Sequence, residues 1–539
     1  MMRERREDEY TRQPMQKPHP TETVSPQVSV RNVPAGAWGV LAVALLTQMA
    51  FLHKPFHVDD TVVLHIARQV LKNPFQPLAG ELDWDGTVKP TFHVTTNPPL
   101  LSYYLALWML LGGEQEQLLH AAMLVWQVLL WWGTVLLAHR FGVDATLASA
   151  LVLLNPATIV SPNLMRDVPM VAMWTLGTAL FLQGAMGWGA LLVGLAALMK
   201  YSGLGGVALL GVYVLLQNRP RQLVCVAVAL IPSVAWSVHN LLVHGQVHFW
   251  ATMHRTQMAT SLSERGWGTL AGLGGVWLLW LWAGLVCRQR AAVSVALGGA
   301  LLVGWWRWVE WQPRGDIEAA MWCGAGAFLL VLSLVRGWHR WREQAFVAMW
   351  AAWVLVAIGI GAPFAAARHL LPALPPLAVL WCPHEVLARW RRVGLWVVLA
   401  GQAAFGIYAG WCDTQIAEVY RRGAQLLAQE YGAQAFVGHW GWMYYAQRAG
   451  LQQVSANRLP EPSVRIAVPA VGGDAVVPPA LMPYLIYEQS VHVNTPARLA
   501  TLPPAAGFYA ALRGAPPFRW LPQGYREQFD LFALEAERR

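Results

Sequence analysis

Charge is what this sequence has least of. Only 13% of its 539 residues are Asp, Glu, Lys or Arg, against roughly 25% in soluble domains. With 56% hydrophobic residues and 30 Trp, that balance excludes an ordinary water-soluble enzyme and points to lipid as the main solvent. Cysteine is also scarce. The five, Cys225, Cys287, Cys323, Cys382 and Cys412, are scattered through apolar runs; no pair has metal-ligand spacing, and no disulfide framework is visible. Neither half of the chain repeats the other, which counts against a transporter built from repeats.

What is present is a series of apolar runs, many near the ~20 residues a helix needs to span a bilayer. The net charge of +9 comes largely from Arg clusters in short gaps between these runs. That is the positive-inside pattern and not a nucleic-acid surface. Residues 1–34 read as a disordered cytoplasmic tail. The run Ala35 to Leu52 reads as an uncleaved first span, since a long tail of mixed charge precedes it and no small-residue cleavage site follows. Loop charges then orient the chain: Arg-rich loops at 219–221, 288–290, 336–342 and 389–392 fall on one side, and Asp59, Asp167 and Asp316 on the other.

The expected fold is mainly α, a polytopic membrane protein of about 13 transmembrane helices. It divides into the tail, a membrane domain over 35–411 whose first extracytoplasmic segment is 54–117, and a small α/β extracytoplasmic domain over 412–539. Within 54–117, Leu100 to Leu111 is short for a span and is expected at the membrane surface. In the last domain, 434–440 and 464–470 read as strands, with a helix at MYYAQRAGL between them.

Two adjacent carboxylates, Asp59 and Asp60, stand where the chain leaves the first span. A helix cap accounts for one of them; the second costs repulsion and desolvation at an apolar boundary. Asn97 in NPPL and Asp167 in MRDVP have the same two readings, a helix entry or a polar group lining a cavity on the same face as the Asp pair. Among the cations Arg166, Lys200, Arg255, Arg307, Arg314 and Arg368, most are expected to snorkel. Arg368 lies on the acidic side, against the orientation rule, so an anionic partner such as a lipid phosphate is expected there. DWD at 83–85 matches a metal-nucleotide motif of soluble transferases, but three residues match by chance and no nucleotide-binding pattern surrounds them. His244, His248 and His254 lack the acid-flanked zinc pattern. No metal and no cofactor is indicated.

The order of these features resembles the GT-C glycosyltransferases that use polyprenyl-phosphate sugars, most closely the protein O-mannosyltransferases and the lipid A aminoarabinose transferase. In that family an Asp-Glu pair follows span one, as Asp59–Asp60 does here. A Lys- or His-Pro-Pro-Leu precedes a surface helix, where this chain has Asn97–Pro98–Pro99–Leu100. A further Asp precedes the fourth span, matching Asp167, and Arg368–His369–Leu370–Leu371–Pro372 looks like an Arg-Tyr-Leu-Leu-Pro found late in bacterial members. GHWGWMYYAQRAG at 438–450 looks like an outer-domain segment of an uncharacterised bacterial branch. The resemblance covers roughly 36–411 and departs at Asp60 for Glu and at Asn97 for Lys.

The resemblance implies transfer of a sugar from a polyprenyl-phosphate-linked donor to a hydroxyl of an acceptor protein, glycolipid or glycan, with inversion, at the outer face of the inner (plasma) membrane. It implies Asp59 as general base, Asp60 and Asp167 orienting hydroxyls, and Lys200, Arg368, His369 and Asn97 on the substrate side. Membrane lipid is the only other partner implied. The competing readings are a lipid-linked polysaccharide polymerase or ligase, and a transporter or flippase without covalent chemistry.

Overall fold

The computed structural model describes residues 32–535 apart from 256–259, 277–278, 288, 312, 340, 384–387, 461–463, 473–474 and 513–514. Most of the tail expected over 1–34 therefore lies outside the described residues.

Helices dominate up to Gln429, and a small sheet region follows. Among the described residues, six helices are long and apolar enough to cross a membrane, or seven if the bent pair Leu262–Gly275 and Trp280–Val286 counts as one span. Shorter apolar helices include Ala35–Met49, Asp167–Leu182 and Met186–Met199. The expected count of about 13 is thus not reproduced by full-length spans, and the local reasons are readable. The run at 145–160 is broken between Ala145–Leu153 and Pro156–Val160, where Asn155 caps the second piece and Pro156 occupies its first turn. The run at 186–216 is broken at Lys200, an extended residue between Met186–Met199 and the turn Tyr201–Gly203. Leu100–Gly112, expected at the surface, is a separate 13-residue helix.

The apolar run after the last Arg cluster ends near Trp411, which sets the expected domain boundary there. The structure instead carries one uninterrupted helix, Arg389–Gln429, across that point. Its first half is the apolar span and its second half supports the sheet, so the two regions share an element.

The sheet has five strands in the order Gln452–Gln453, Ala435–Phe436, Arg465–Pro469, Arg526–Leu534, Leu485–Asn494. Ala435–Phe436 pairs in parallel with Gln452–Gln453 and with Arg465–Pro469. The helix Trp440–Arg448 lies between the first two of these in sequence, which follows the alternation read from the sequence. The other two strands pair antiparallel.

Buried Glu527 ties the sheet to the long helix. Its carboxylate accepts hydrogen bonds from Tyr420 at 3.0 Å, from Tyr525 at 3.0 Å, and from the backbone of Val471 at 2.8 Å and Gly472 at 3.0 Å. Gly441 marks one close approach of this region to the helical part: a Cβ there would lie 2.5 Å from the Phe56 carbonyl oxygen.

Candidate active site

The first helical turn after the first apolar run decides what the acid pair can do. Asp59 is the N-cap residue of the helix Asp60–Lys72, yet its side chain makes no capping bond. Asp60, fully buried, does the local work instead: its Oδ2 accepts from the His57 backbone N–H at 2.7 Å. Burial pushes the Asp60 carboxyl up to about 8, so at neutral pH it is largely the neutral acid. The two acids are therefore not equivalent. Asp60 faces inward and shapes the turn, which is not the hydroxyl-orienting position expected of it. Asp59 is left without a cap to make.

The turn itself is strained. Val58, a buried β-branched residue, has φ 48°, a left-handed conformation that costs of order 1–3 kcal/mol. Such a turn persists only where neighbours over-determine it, and here they do. Phe56 N–H donates to Tyr445 OH at 2.8 Å, and that hydroxyl donates to Glu116 at 2.5 Å.

Asp59 meets Arg368, which joins it to two further residues from distant parts of the chain. Arg368 Nη1 donates to Asp59 Oδ2 at 3.1 Å and lies 3.8 Å from Asp167 Oδ2; Lys200 Nζ donates to Asp167 Oδ1 at 2.6 Å. Asp167 opens the helix Asp167–Leu182 without making a cap bond of its own to it. Lys200 reaches in from the break between two short helices. The order Asp59–Arg368–Asp167–Lys200 alternates in charge, so each buried ion has an opposite neighbour. Side-chain exposure separates the members: 29% for Asp59 against 5% for Asp167. Asp59 is the carboxylate that a second molecule can reach.

The remaining sequence candidates divide. His369 follows Arg368, packs its ring on Phe364 at 5.1 Å and is within electrostatic reach of Asp167 and Lys200. Asn97 does not join the cluster directly; its amide donates to Thr96 Oγ1 at 3.1 Å. Nor does it cap the following helix, whose N-cap is Pro99. Its neighbour Thr95 accepts from His248, whose other ring nitrogen bonds to Tyr201, beside Lys200. His248 thus belongs to this hydrogen-bonded chain, His244 stacks on Phe92 at 4.3 Å, and the side chain of His254 lies outside the described residues. The DWD acids part company: Asp83 is bonded by Ser455, and Asp85 by Lys89 at 2.5 Å. Among the described residues no group of His, Cys, Asp and Glu could hold a metal ion.

Arg166, one of the cations singled out in the sequence, is buried, with Nε and Nη2 lacking a hydrogen-bond partner; Arg368 Nε is likewise unpartnered. Buried guanidinium donors without acceptors are costly, and an oxyanion would satisfy them.

A second polar cluster escaped the sequence reading. Lys54, four residues before Val58, is ion-paired to Asp413 of the long helix and donates to Asn163 at 2.5 Å. Asp413 also accepts from Thr501 at 2.5 Å and Tyr509 at 2.6 Å, and His57 Nε2 lies 3.5 Å away. The segment holding Tyr509 also pairs with the strip before Arg368: Ala367 N–H bonds to Gly507 O and Arg368 N–H to Phe508 O, both at 3.2 Å. The C-terminal segment thus grips both sides of the Asp59–Arg368 contact. The signal was present, since an acid within an otherwise apolar helix asks for a partner, but ending the span at Trp411 placed Asp413 in water.

No family model matches the chain, and no curated protein matches it in sequence. Among solved structures it is similar to ArnT from Cupriavidus metallidurans bound to undecaprenyl phosphate (17% identity over 84% of this chain and 96% of that one, TM-score 0.44). It is also similar to the Archaeoglobus fulgidus oligosaccharyltransferase (12%, 78% and 64%, 0.46) and to the mycobacterial arabinofuranosyltransferase AftD (14%, 95% and 40%, 0.38). At these identities and TM-scores the likeness assigns no residue a role.

Proposed function

We propose that this protein is an integral membrane glycosyltransferase that moves a sugar from a polyprenyl-phosphate carrier to an acceptor hydroxyl, with Asp59 as general base. The observation that carries the reading is the Asp59–Arg368 contact: a partly exposed carboxylate, relieved of capping, held against a guanidinium. The motif order shared with the GT-C family supports it.

In the reaction the acceptor oxygen attacks the anomeric carbon while its proton passes to Asp59. The bond between that carbon and the phosphate oxygen breaks, and the phosphate leaves with the electron pair. Because phosphate is already a good leaving group, no carboxylic acid needs to protonate it, unlike the alkoxide leaving group of a glycosidase. The developing charge falls to Arg368 and to the unpartnered guanidinium donors of Arg166 and Arg368. A phosphate arriving at Arg368 competes with Asp59 for the guanidinium, which frees the carboxylate to meet the acceptor hydroxyl as the donor binds. A single displacement of this kind inverts the anomeric centre.

Lys200 is bound to Asp167, so we assign Asp167 and Lys200 to hold Arg368 in place, with His369 beside them. Asn97 enters only through the Thr95–His248–Tyr201 chain. The site is placed at the outer face of the inner membrane, where the sequence puts its acids.

The test is incubation of the purified protein with a panel of polyprenyl-phosphate sugars and cell-envelope acceptors. Acceptor-dependent release of polyprenyl phosphate, lost in Asp59→Asn, is expected. Substrate movement across vesicles without such release would instead make the protein a transporter.

A further inference from the structure

The bond between Asp59 and Arg368 is one that a phosphate-releasing reaction must break and remake. Arg368 Nη1 reaches Asp59 Oδ2 at 3.1 Å and Met165 Sδ at 3.3 Å, and a thioether is a weak acceptor. Asp167, the other acid, is 3.8 Å away and already accepts from Lys200 at 2.6 Å. Among the described residues Asp59 is therefore the charged acceptor that holds this nitrogen. The main chain of Arg368 is tied separately, its N–H donating to Phe508 O at 3.2 Å, so Nη1 can change partners while the backbone stays in place.

The other groups around Asp59 do not replace it. Arg166 and Lys200 place positive charge beside it, and Asp167 offsets one of them. On its own turn Asp60 is largely the neutral acid, and burial keeps the His57 ring neutral. His369, next to Arg368, is kept neutral by burial as well. Protonating Asp59 thus leaves Arg368 Nη1 without a charged hydrogen-bond acceptor.

Transfer changes the charge on both sides of this contact at once. The donor is a phosphodiester with a single negative charge, and the carrier left behind is a monoester with about 1.5–2 at pH 7. In the same step the acceptor's proton neutralises Asp59. The ligand gains negative charge as the site loses a competing one, so the attraction rises whatever the remaining charges are.

We infer that Asp59 and Arg368 form a proton-controlled latch: protonated Asp59 gives up Arg368 to the leaving polyprenyl phosphate, which is held until that proton passes to water and the ion pair re-forms. The O–H bond of Asp59 breaks, its carboxylate takes back the guanidinium, and the carrier departs as the anion. The inference rests on the transferase reading and adds to it the step that governs product release.

Binding linkage makes the latch measurable, because a ligand that prefers protonated Asp59 takes up a proton as it binds. The experiment titrates undecaprenyl phosphate into the full-length protein in detergent by calorimetry, at pH 6 and pH 7.5, in buffers of different ionisation heat. It compares the parent with Asp59→Asn, Arg368→Gln and the double variant. The ligand's own second ionisation, near pH ~6, is common to all four proteins and cancels between them. At pH 7.5 the parent should take up protons, and Asp59→Asn should bind about tenfold more tightly with less uptake, the worth of one charge-assisted hydrogen bond. The advantage should shrink at pH 6 and vanish in the Arg368→Gln background. Equal or weaker binding by Asp59→Asn at pH 7.5, or an advantage that persists without Arg368, overturns the latch. So does a parent that takes up no proton at pH 7.5, a result that needs no variant to fold. Acceptor-dependent release on the same preparations reads the transferase separately. Release without the binding difference removes the latch and spares the enzyme; the binding difference without release on any donor does the reverse.

Discussion

Arg368 stands between two carboxylates, 3.1 Å from Asp59 and 3.8 Å from Asp167, and only the first is within hydrogen-bond distance. One guanidinium therefore links the reachable acid to the buried one, and anything that draws it away changes the charge balance at both. The first prediction concerns the acid at the exposed end of this link.

Asp59→Asn removes the proposed base while keeping its shape. Transfer should fall by roughly 10²–10⁴, the usual worth of a positioned general base. Because Asp59 caps nothing, the thermal midpoint and far-UV circular dichroism should stay close to those of the parent. Activity retained within a few-fold would remove Asp59 from the chemistry.

Arg368→Lys tests whether a fork or merely a charge is needed. A single ammonium cannot present donors to both carboxylates and to an incoming phosphate in one plane. The expectation is a loss in kcat/KM of about tenfold or more, comparable to one charge-assisted hydrogen bond. Parent-like turnover in Arg368→Lys would mean that charge alone suffices.

Lys54→Met strands Asp413, which is fully buried. Breaking a buried ion pair from one side costs about 3–5 kcal/mol; here the hydroxyls of Thr501 and Tyr509 still reach the carboxylate. A clear drop in thermal midpoint in detergent should result, and Lys54→Met/Asp413→Leu should recover part of it. An unchanged midpoint in the single variant would show that this cluster does not hold the C-terminal segment to the Val58 turn.

The buried carboxyl of Asp60 makes stability depend on pH. Its folded value, about 8, lies above the ordinary 3.8, so between these limits the folded state keeps a proton that the unfolded state has released. This contribution is fully present below pH 4 and declines as pH rises towards 8. Asp60→Asn keeps an oxygen for the His57 N–H and cannot ionise. Unfolding midpoints of the two proteins, measured at pH 5 and pH 8, should show the variant gaining on the parent at the higher pH. A gap independent of pH would mean that Asp60 is ionised in the folded protein.

Much of this molecule was decided by composition and order along the chain. Few charges and many apolar runs dictate a helical protein in lipid, because a backbone there must satisfy its own hydrogen bonds. The strand–helix–strand pattern around 434–470 was legible because its periodicity changes from that of the spans. Asp59, Asp167 and Arg368 stood out as polar groups at the ends of apolar segments. Three things were left to the tertiary structure, each because it depends on contacts between residues far apart in sequence. Which acid of the pair turns inward followed from the strained turn at Val58, where Asp60 and not Asp59 bonds to the backbone. That Lys200 neutralises Asp167 followed from where two short helices break. And the Lys54–Asp413–Tyr509 cluster joins residues more than 350 positions apart, a pairing that no local pattern encodes, since its stability comes from burying opposite charges together.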